Sequence, residues 1–231
     1  MSIIFVTGGN TGLGFESVRR LKALGHKVYI GCRNETKAKQ AALELDVEYI
    51  IIDVSDDESV RKAAKNYSRR ENHLDVLINN AGIPGGRTAP QDITADMMQY
   101  VYNTNVFGIV RVTHDFLPLL QKSENPVIVN VSSGLGSFGQ VHNPGKIESK
   151  VNALAYQSSK SAVCMITVQY AKGLPNIKIN AVDPGATKTG EQFSNGAQSV
   201  EEGSDAIVKM ATIGKDGPTG IFVNREGVIP W

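Results

Sequence analysis

The chain has 231 residues, with 24 Lys and Arg against 23 Asp and Glu, a formal net charge of +1. That balance gives no surface-wide pull toward nucleic acid or an anionic membrane, and the length suits one sizeable hydrophobic core in a single domain spanning 1–231. Two cysteines without redox or metal spacing (Cys32, Cys164), four scattered histidines and no apolar run of about 20 residues argue against a disulfide framework, a metal site and a membrane span, and point to free thiols in a cytoplasmic protein.

The apolar run at 3–6, Ile-Ile-Phe-Val, predicts a first strand that starts too near the N-terminus to leave room for a signal peptide. It enters Thr7-Gly8-Gly9-Asn10-Thr11-Gly12-Leu13-Gly14, and a helical pattern follows at once over 13–24. A turn between strand and helix can aim backbone N–H groups and the positive helix end at a pyrophosphate, provided no Cβ blocks the approach. Gly8, Gly12 and Gly14 meet that need, with Asn10, Thr11 and Leu13 completing the turn. The spacing is G-x-x-x-G-x-G and not the common G-x-G-x-x-G, so a plain packing turn is the competing reading. A second strand over 27–30 closes a βαβ unit and ends in Gly31-Cys32-Arg33-Asn34. An acidic residue here would accept ribose hydroxyls. Arg33 instead offers a guanidinium fork suited to a 2′-phosphate, favouring NADP(H) over NAD(H), against the alternative of an exposed arginine opening a loop.

Further β-rich runs at 49–52, 76–78, 127–131, 177–182 and 221–223 alternate with helical stretches at 35–45, 56–70, 95–121, 152–173 and 199–212, with Asp56 and Thr94 as caps. The alternation predicts an α/β, Rossmann-type doubly wound fold: a seven-stranded parallel sheet flanked by helices. Asp53, past the third strand, is placed to contact an adenine. Gly and Pro collect at 82–90, 134–145 and 183–196, after strands on the carboxyl edge, where ligands of open α/β sheets bind.

Seven elements then occur in a fixed order: Thr7-Gly8-x-x-x-Gly12-x-Gly14, Asp53-Val54, Asn79-Asn80-Ala81-Gly82, Asn105-Val106-Phe107-Gly108, Ser132-Ser133, Tyr156-x-x-x-Lys160, and Pro184-Gly185 followed by Thr189. In this order they resemble the short-chain dehydrogenase/reductase family over essentially the whole chain, and Arg33 is similar to the NADPH-preferring carbonyl reductases of that family. The resemblance implies reversible reduction of a ketone or aldehyde with Asn105, Ser133, Tyr156 and Lys160 as catalytic residues. Ser133 is preferred to Ser132 because the family's serine matches the second of the pair. It further implies a cofactor held by the glycine turn, Arg33, Asp53, Val54, Asn80, Ala81 and Gly82. Lys160 would hold the nicotinamide ribose beside Tyr156, Pro184, Gly185, Thr187 and Thr189 would hold the carboxamide, and Asn105 would organise a water linking the lysine to solvent.

The chemistry accounts for the residue types. Tyr156 and Lys160 share one helix face with about 6 Å of rise between them. A free phenol holds its proton to about pH 10, and a neighbouring ammonium is expected to lower that value toward the range of general acid–base work. Ser133 would polarise the substrate oxygen.

Ser133 and Tyr156 stand 23 residues apart, more than is usual for the family, which makes 134–152 an enlarged substrate loop containing Phe138, His142 and Ile147. The other substrate loop, 186–200, is short and polar and argues against a bulky, enclosed substrate. Trp231 could pack on the protein's own surface or across a subunit contact. The expected partners are a small carbonyl or alcohol substrate and a second copy in a homo-oligomer, without nucleic acid or membrane. A non-catalytic NADP-binding sensor is the alternative function, opposed by the intact Ser133, Tyr156 and Lys160. A sugar-nucleotide epimerase would need a longer C-terminal region and different glycine spacing.

Overall fold

The computed structural model describes residues 1–86, 88–188 and 197–231. β1 (Ile3–Thr7) is buried along its whole length, as an apolar run in the middle of a parallel sheet must be. α1 (Gly12–Ala23) and β2 (Lys27–Cys32) complete the first crossover. Asn34 caps α2 (Glu35–Leu45), accepting from the Lys37 N–H, and β3 (Glu48–Ile51) forms the sheet edge. Asp56 caps α3 (Asp57–Ser68), β4 (Val76–Asn79) follows, and Thr94 caps α4 (Ala95–Asn105). α5 (Phe107–Leu120), β5 (Val127–Val131), the short α6 (Phe138–Val141), α7 (Leu154–Gly173), β6 (Lys178–Val182), α8 (Val200–Ala211) and β7 (Phe222–Val223) complete the order.

The strands pair in parallel in the order β3-β2-β1-β4-β5-β6-β7. This is the seven-stranded Rossmann-type sheet the alternation predicts. The order reverses between β1 and β4, and at such a switch point the loops diverge and leave a crevice outside the carboxyl ends. Alternate side chains serve the two faces. Ile4 and Val6 pack with Val18, Leu21 and Ile207 of α1 and α8, while Phe5 packs with Tyr67 of α3 and Phe116 of α5. None of the described helices is long and apolar enough to cross a membrane.

One expectation changes. The stretch 95–121 is not one helix: it breaks at Val106 (φ −110°, ψ −64°) into α4 and α5. At that break the buried Asn105 carboxamide pairs with the Ile83 backbone, accepting from its N–H at 2.8 Å and donating to its C=O at 2.9 Å. The following Gly108 sits so close to Val54 that a Cβ would meet its side chain at 3.0 Å. The loop 134–152 carries 3₁₀ turns at Gly134–Gly136 and Ile147–Lys150 on either side of α6.

Trp231 stacks on Phe222 with centroids 5.5 Å apart, so it packs on the chain's own surface. On the α3/α5 face, Phe5 and Phe116 lie 4.8 Å apart, and Tyr67 packs edge-on against both and against Tyr29, all fully buried. Phe116→Ala is expected to lower the unfolding free energy by about 3–5 kcal/mol, read from urea denaturation. A loss under about 1 kcal/mol would mean that this cluster does not organise the face.

Candidate active site

The glycine turn is bound to its neighbours before any ligand is considered. Gly8, at φ +64°, donates its N–H to Gly31 O at 2.8 Å. Asn80 braces the turn from β4, donating through Nδ2 to Thr7 O at 2.9 Å and Gly8 O at 3.2 Å. The Thr7 hydroxyl accepts from the N–H groups of Asn80 and Ala81 at 3.0 and 3.1 Å. Gly14 is required for packing, since a Cβ there would lie 2.3 Å from Gly8 O and 2.5 Å from Asn80 Nδ2. The packing reading of this turn therefore holds for Gly14.

Above the turn opens a cleft of about 700 Å³. Its walls bring together Gly8, Asn10, Thr11, Gly12, Leu13 and Gly14 from the turn, Arg33 from the end of β2, Asp53 and Val54 from the end of β3, and Asn80, Ala81 and Gly82 from the end of β4. The chemistry of this cleft fits a dinucleotide phosphate. Thr11 makes no side-chain cap and the first turn of α1 carries no acidic residue, so its leading N–H groups face the cleft free of local anions. At the far wall, Arg33 stands with Lys37, a second cation that the sequence reading missed. The signal was available: Lys37 follows Arg33 by one helical turn and lies just inside the N-terminus of α2. Ile52, Ile83 and Thr104 also line the cleft, with nothing in the sequence to single them out.

Asp53 keeps its charge beside these cations. Burial opposes ionisation, but hydrogen bonds from the Ser55 hydroxyl and N–H, with the charges of Arg33 and Arg111, hold the carboxyl below the usual range.

Gly82 marks where the cleft meets the second half of the site. A Cβ on it would lie 3.3 Å from Asn105 Oδ1 and 3.6 Å from Lys160 Nζ. Asn105 Nδ2 also donates to Ser159 Oγ at 3.0 Å, so its carboxamide joins the loop after β4 to α7. Lys160 is buried and donates to Val131 O at 2.8 Å, while its Nζ lies 5.6 Å from the Tyr156 ring centre. Ser133, two residues past β5, accepts from Leu135 N at 3.2 Å and stands beside Tyr156.

The electrostatics correct one expectation. Burial pushes the Tyr156 phenol up to about 12, with the Ser133 hydroxyl pulling it down and Asp183 pushing it up. Burial pulls Lys160 down to about 8. In the protein alone the lysine does not bring the phenol toward neutrality, because dry surroundings penalise the charged forms of both groups.

Past β6, Gly185 (φ +70°) allows the chain to turn against Gln198, and the Thr187 hydroxyl donates to Pro184 O at 3.0 Å and Gly185 O at 3.2 Å. Thr187 pairs with Gln198, closing the base of the 186–200 loop. Thr189, and 190–196 of that loop, lie outside the described residues. In the 134–152 loop, Phe138 and Ile147 are exposed, and Phe138 stacks on His142.

Comparison with known proteins agrees with this geometry. The family model described as short chain dehydrogenase matches residues 2–199. A short-chain dehydrogenase, anuI, of Penicillium roqueforti is 37% identical over 225 residues, covering 92% of this chain and 89% of that protein. A (+)-neomenthol dehydrogenase of Arabidopsis thaliana is 30% identical, covering 96% of each. The solved NADPH-bound carbonyl reductase from chicken fatty liver superposes with a TM-score of 0.87 at 28% identity, covering 100% of this chain and 99% of that one.

The raised phenol value is directly measurable. In ligand-free protein, a tyrosinate difference titration against Tyr156→Phe is expected to show no ionisation from Tyr156 below about pH 11. A titration step from it between about pH 7 and 9 would contradict the burial argument.

Proposed function

We propose, from the premise that the chain belongs to the short-chain dehydrogenase/reductase family of oxidoreductases, that it is an NADP(H)-dependent carbonyl reductase acting on a small ketone or aldehyde. The observation that carries this reading is the juxtaposition at Gly82, which lines the cleft and lies against Asn105 and Lys160. Arg33 and Lys37 stand at one end of the cleft, and Ser133, Tyr156 and Lys160 converge just beyond Gly82 at the other.

Arg33 and Lys37 would hold a 2′-phosphate, the glycine turn and α1 N-terminus the pyrophosphate, and Asn80, Ala81 and Gly82 the adenine-side ribose. Asp53 and Val54 would border the adenine, Lys160 would take the nicotinamide ribose, and Pro184, Gly185, Thr187 and Thr189 would take the carboxamide. Bound there, the cofactor supplies a hydride for the carbonyl carbon. The residues supply the rest. The Ser133 hydroxyl donates to the substrate oxygen and orients it. Tyr156 holds the proton that this oxygen takes up, at a phenol that stays protonated through the neutral range. Asn105 acts by fixing the loop after β4 against α7, and a water on its remaining surface would link Lys160 to solvent.

We assign 134–152 and 186–200 as the substrate loops of one domain spanning 1–231. Exposed Phe107 and Val110 on α5 and Met165 on α7 support association with a second copy through the long helices. The sensor reading has no structural feature of its own in its favour.

Tyr156→Phe separates the two. It is expected to lower turnover of a carbonyl substrate by about 10²–10⁴-fold while NADPH still quenches protein fluorescence with a Kd within about threefold of the original. Wild-type turnover in that variant would end the reading. Arg33→Ala is expected to raise the Kd for NADPH by about 10–100-fold and leave NADH binding nearly unchanged, because only NADPH has the 2′-phosphate. Equal weakening of both cofactors would remove Arg33 from that contact.

A further inference from the structure

Asp183, at the end of β6, carries a carboxylate that neither cofactor binding nor proton transfer uses. Only 5% of the residue is exposed. β5 and β6 are neighbours with Val131 opposite Val182, so the turns that follow them leave the sheet side by side. Ser132 N–H donates to Val182 O at 2.8 Å across the same gap. Asp183 spans these two turns. Its Oδ1 accepts from Gly185 N–H at 2.9 Å, and the N–H of Gly134, the residue after Ser133, also stabilises the carboxylate.

Gly134 is the fulcrum of this arrangement. A Cβ there would stand 3.0 Å from Asp183 Oδ2, 3.0 Å from Glu148 Oε1 and 2.9 Å from Gln140 Nε2, so the missing side chain is what lets three polar groups close on the turn. Glu148 Oε2 and Gln140 Nε2 are buried without a hydrogen-bond partner among the described residues. Of the three groups around Gly134, Asp183 is the one that packs against this turn while accepting a hydrogen bond from the other, at Gly185 N–H.

We propose that Asp183 is a positioning residue, whose carboxylate fixes the Ser133 turn against the Pro184-Gly185 turn and so sets the distance between the polarising hydroxyl and the nicotinamide side of the site. The proposal rests on the reductase reading and adds to it a residue outside the catalytic group. Glu148, reaching in from the 134–152 loop, makes the tie sensitive to protonation. Burial pushes the Asp183 carboxyl up, the Gly185 and Gly134 N–H groups pull it back, and Glu148 pushes it up again. The other titratable groups that feel Asp183 are Tyr156 and Cys164 of α7, both made harder to ionise by its charge. Protonated Asp183 loses an acceptor for the two N–H groups, so the tie is complete above its titration and weakens as pH falls through it.

The test begins without cofactor. Asp183→Asn, nearly isosteric, is expected to speed amide hydrogen exchange at Gly134 and Gly185 by about tenfold and to move the Tyr156 titration to lower pH, since a neighbouring negative charge is gone. In turnover it is expected to lower kcat about tenfold with the NADPH Kd within about threefold, and to shift the alkaline limb of the reduction profile to lower pH. Unchanged exchange overturns the proposal, and so does faster exchange with the original kcat and pH profile. The Tyr156→Phe control keeps the two readings apart: if that variant turns over normally, the reductase reading fails while the exchange data still judge the tie. If Asp183→Asn does not fold, Glu148→Gln decides. With Glu148 neutral, Asp183 ionises more easily, so the acid limb is expected to move to lower pH, and an unmoved limb overturns the proposal.

Discussion

The buried ammonium of Lys160, donating to the Val131 carbonyl at 2.8 Å, ties α7 to the end of β5, and the rest of the site is arranged around that bond. A lone charge in such surroundings is costly unless paired or hydrogen-bonded, so wherever the ammonium finds its acceptor the helix must follow. The neighbouring contacts reinforce the placement. Ser132 Oγ donates to Lys160 O at 3.0 Å, and Ser161 Oγ donates to Gly136 O at 2.8 Å. Gly136 lies so near the helix that a Cβ would meet the Lys160 carbonyl carbon at 2.5 Å. Tyr156, one turn earlier on the same face, is thereby carried to Ser133.

The same tie explains the state of the acid. Packing α7 this closely excludes water from both members of the Tyr156–Lys160 pair, and desolvation acts on them in opposite senses: it raises the phenol and lowers the ammonium. The site thus holds a proton donor whose donor form is resident at neutral pH, beside a cation that the Val131 carbonyl helps to retain. At the other end of the cleft the problem is reversed. Arg33 and Lys37 are exposed there, and Asp53 remains ionised between the Ser55 hydrogen bonds and the nearby arginines. Asn80 joins the ends mechanically, since it supports the glycine turn while the chain beyond it leads through Gly82 to Lys160.

Much of this was legible in the sequence because the informative features are local. Strand runs such as 127–131 and caps such as Asp56 and Thr94 follow from periodicity and side-chain chemistry within a few residues. Tyr156 and Lys160 show their shared face through helical spacing alone. What stayed hidden depends on long-range contact. The break at Val106 accompanies the pairing of Asn105 with Ile83, 22 positions away in the chain, and nothing in the 95–121 pattern announces it. The raised phenol depends on how dry α7 becomes once packed, which a Y-x-x-x-K spacing does not encode. The order in the 134–152 loop depends on contacts such as Ser137 Oγ donating to Pro230 O and Gly139 N–H donating to Trp231 O, from the far end of the chain. The place of the Asp183 side chain is hidden for the same reason, since it lies between two turns brought together by the pairing of β5 with β6.

The central claim is that a phosphate-binding cleft and a tyrosine-centred acid act as one NADP(H)-dependent reductase. Its most direct test is the initial rate of cofactor oxidation by the purified protein across a panel of small ketones and aldehydes, with NADPH and NADH compared at equal concentration. The account expects turnover with NADPH at least about tenfold faster than with NADH at concentrations below saturation, the scale of one charge-assisted phosphate contact. Turnover favouring NADH would contradict the assignment of the Arg33 end of the cleft, and no turnover with either cofactor would contradict the claim as a whole.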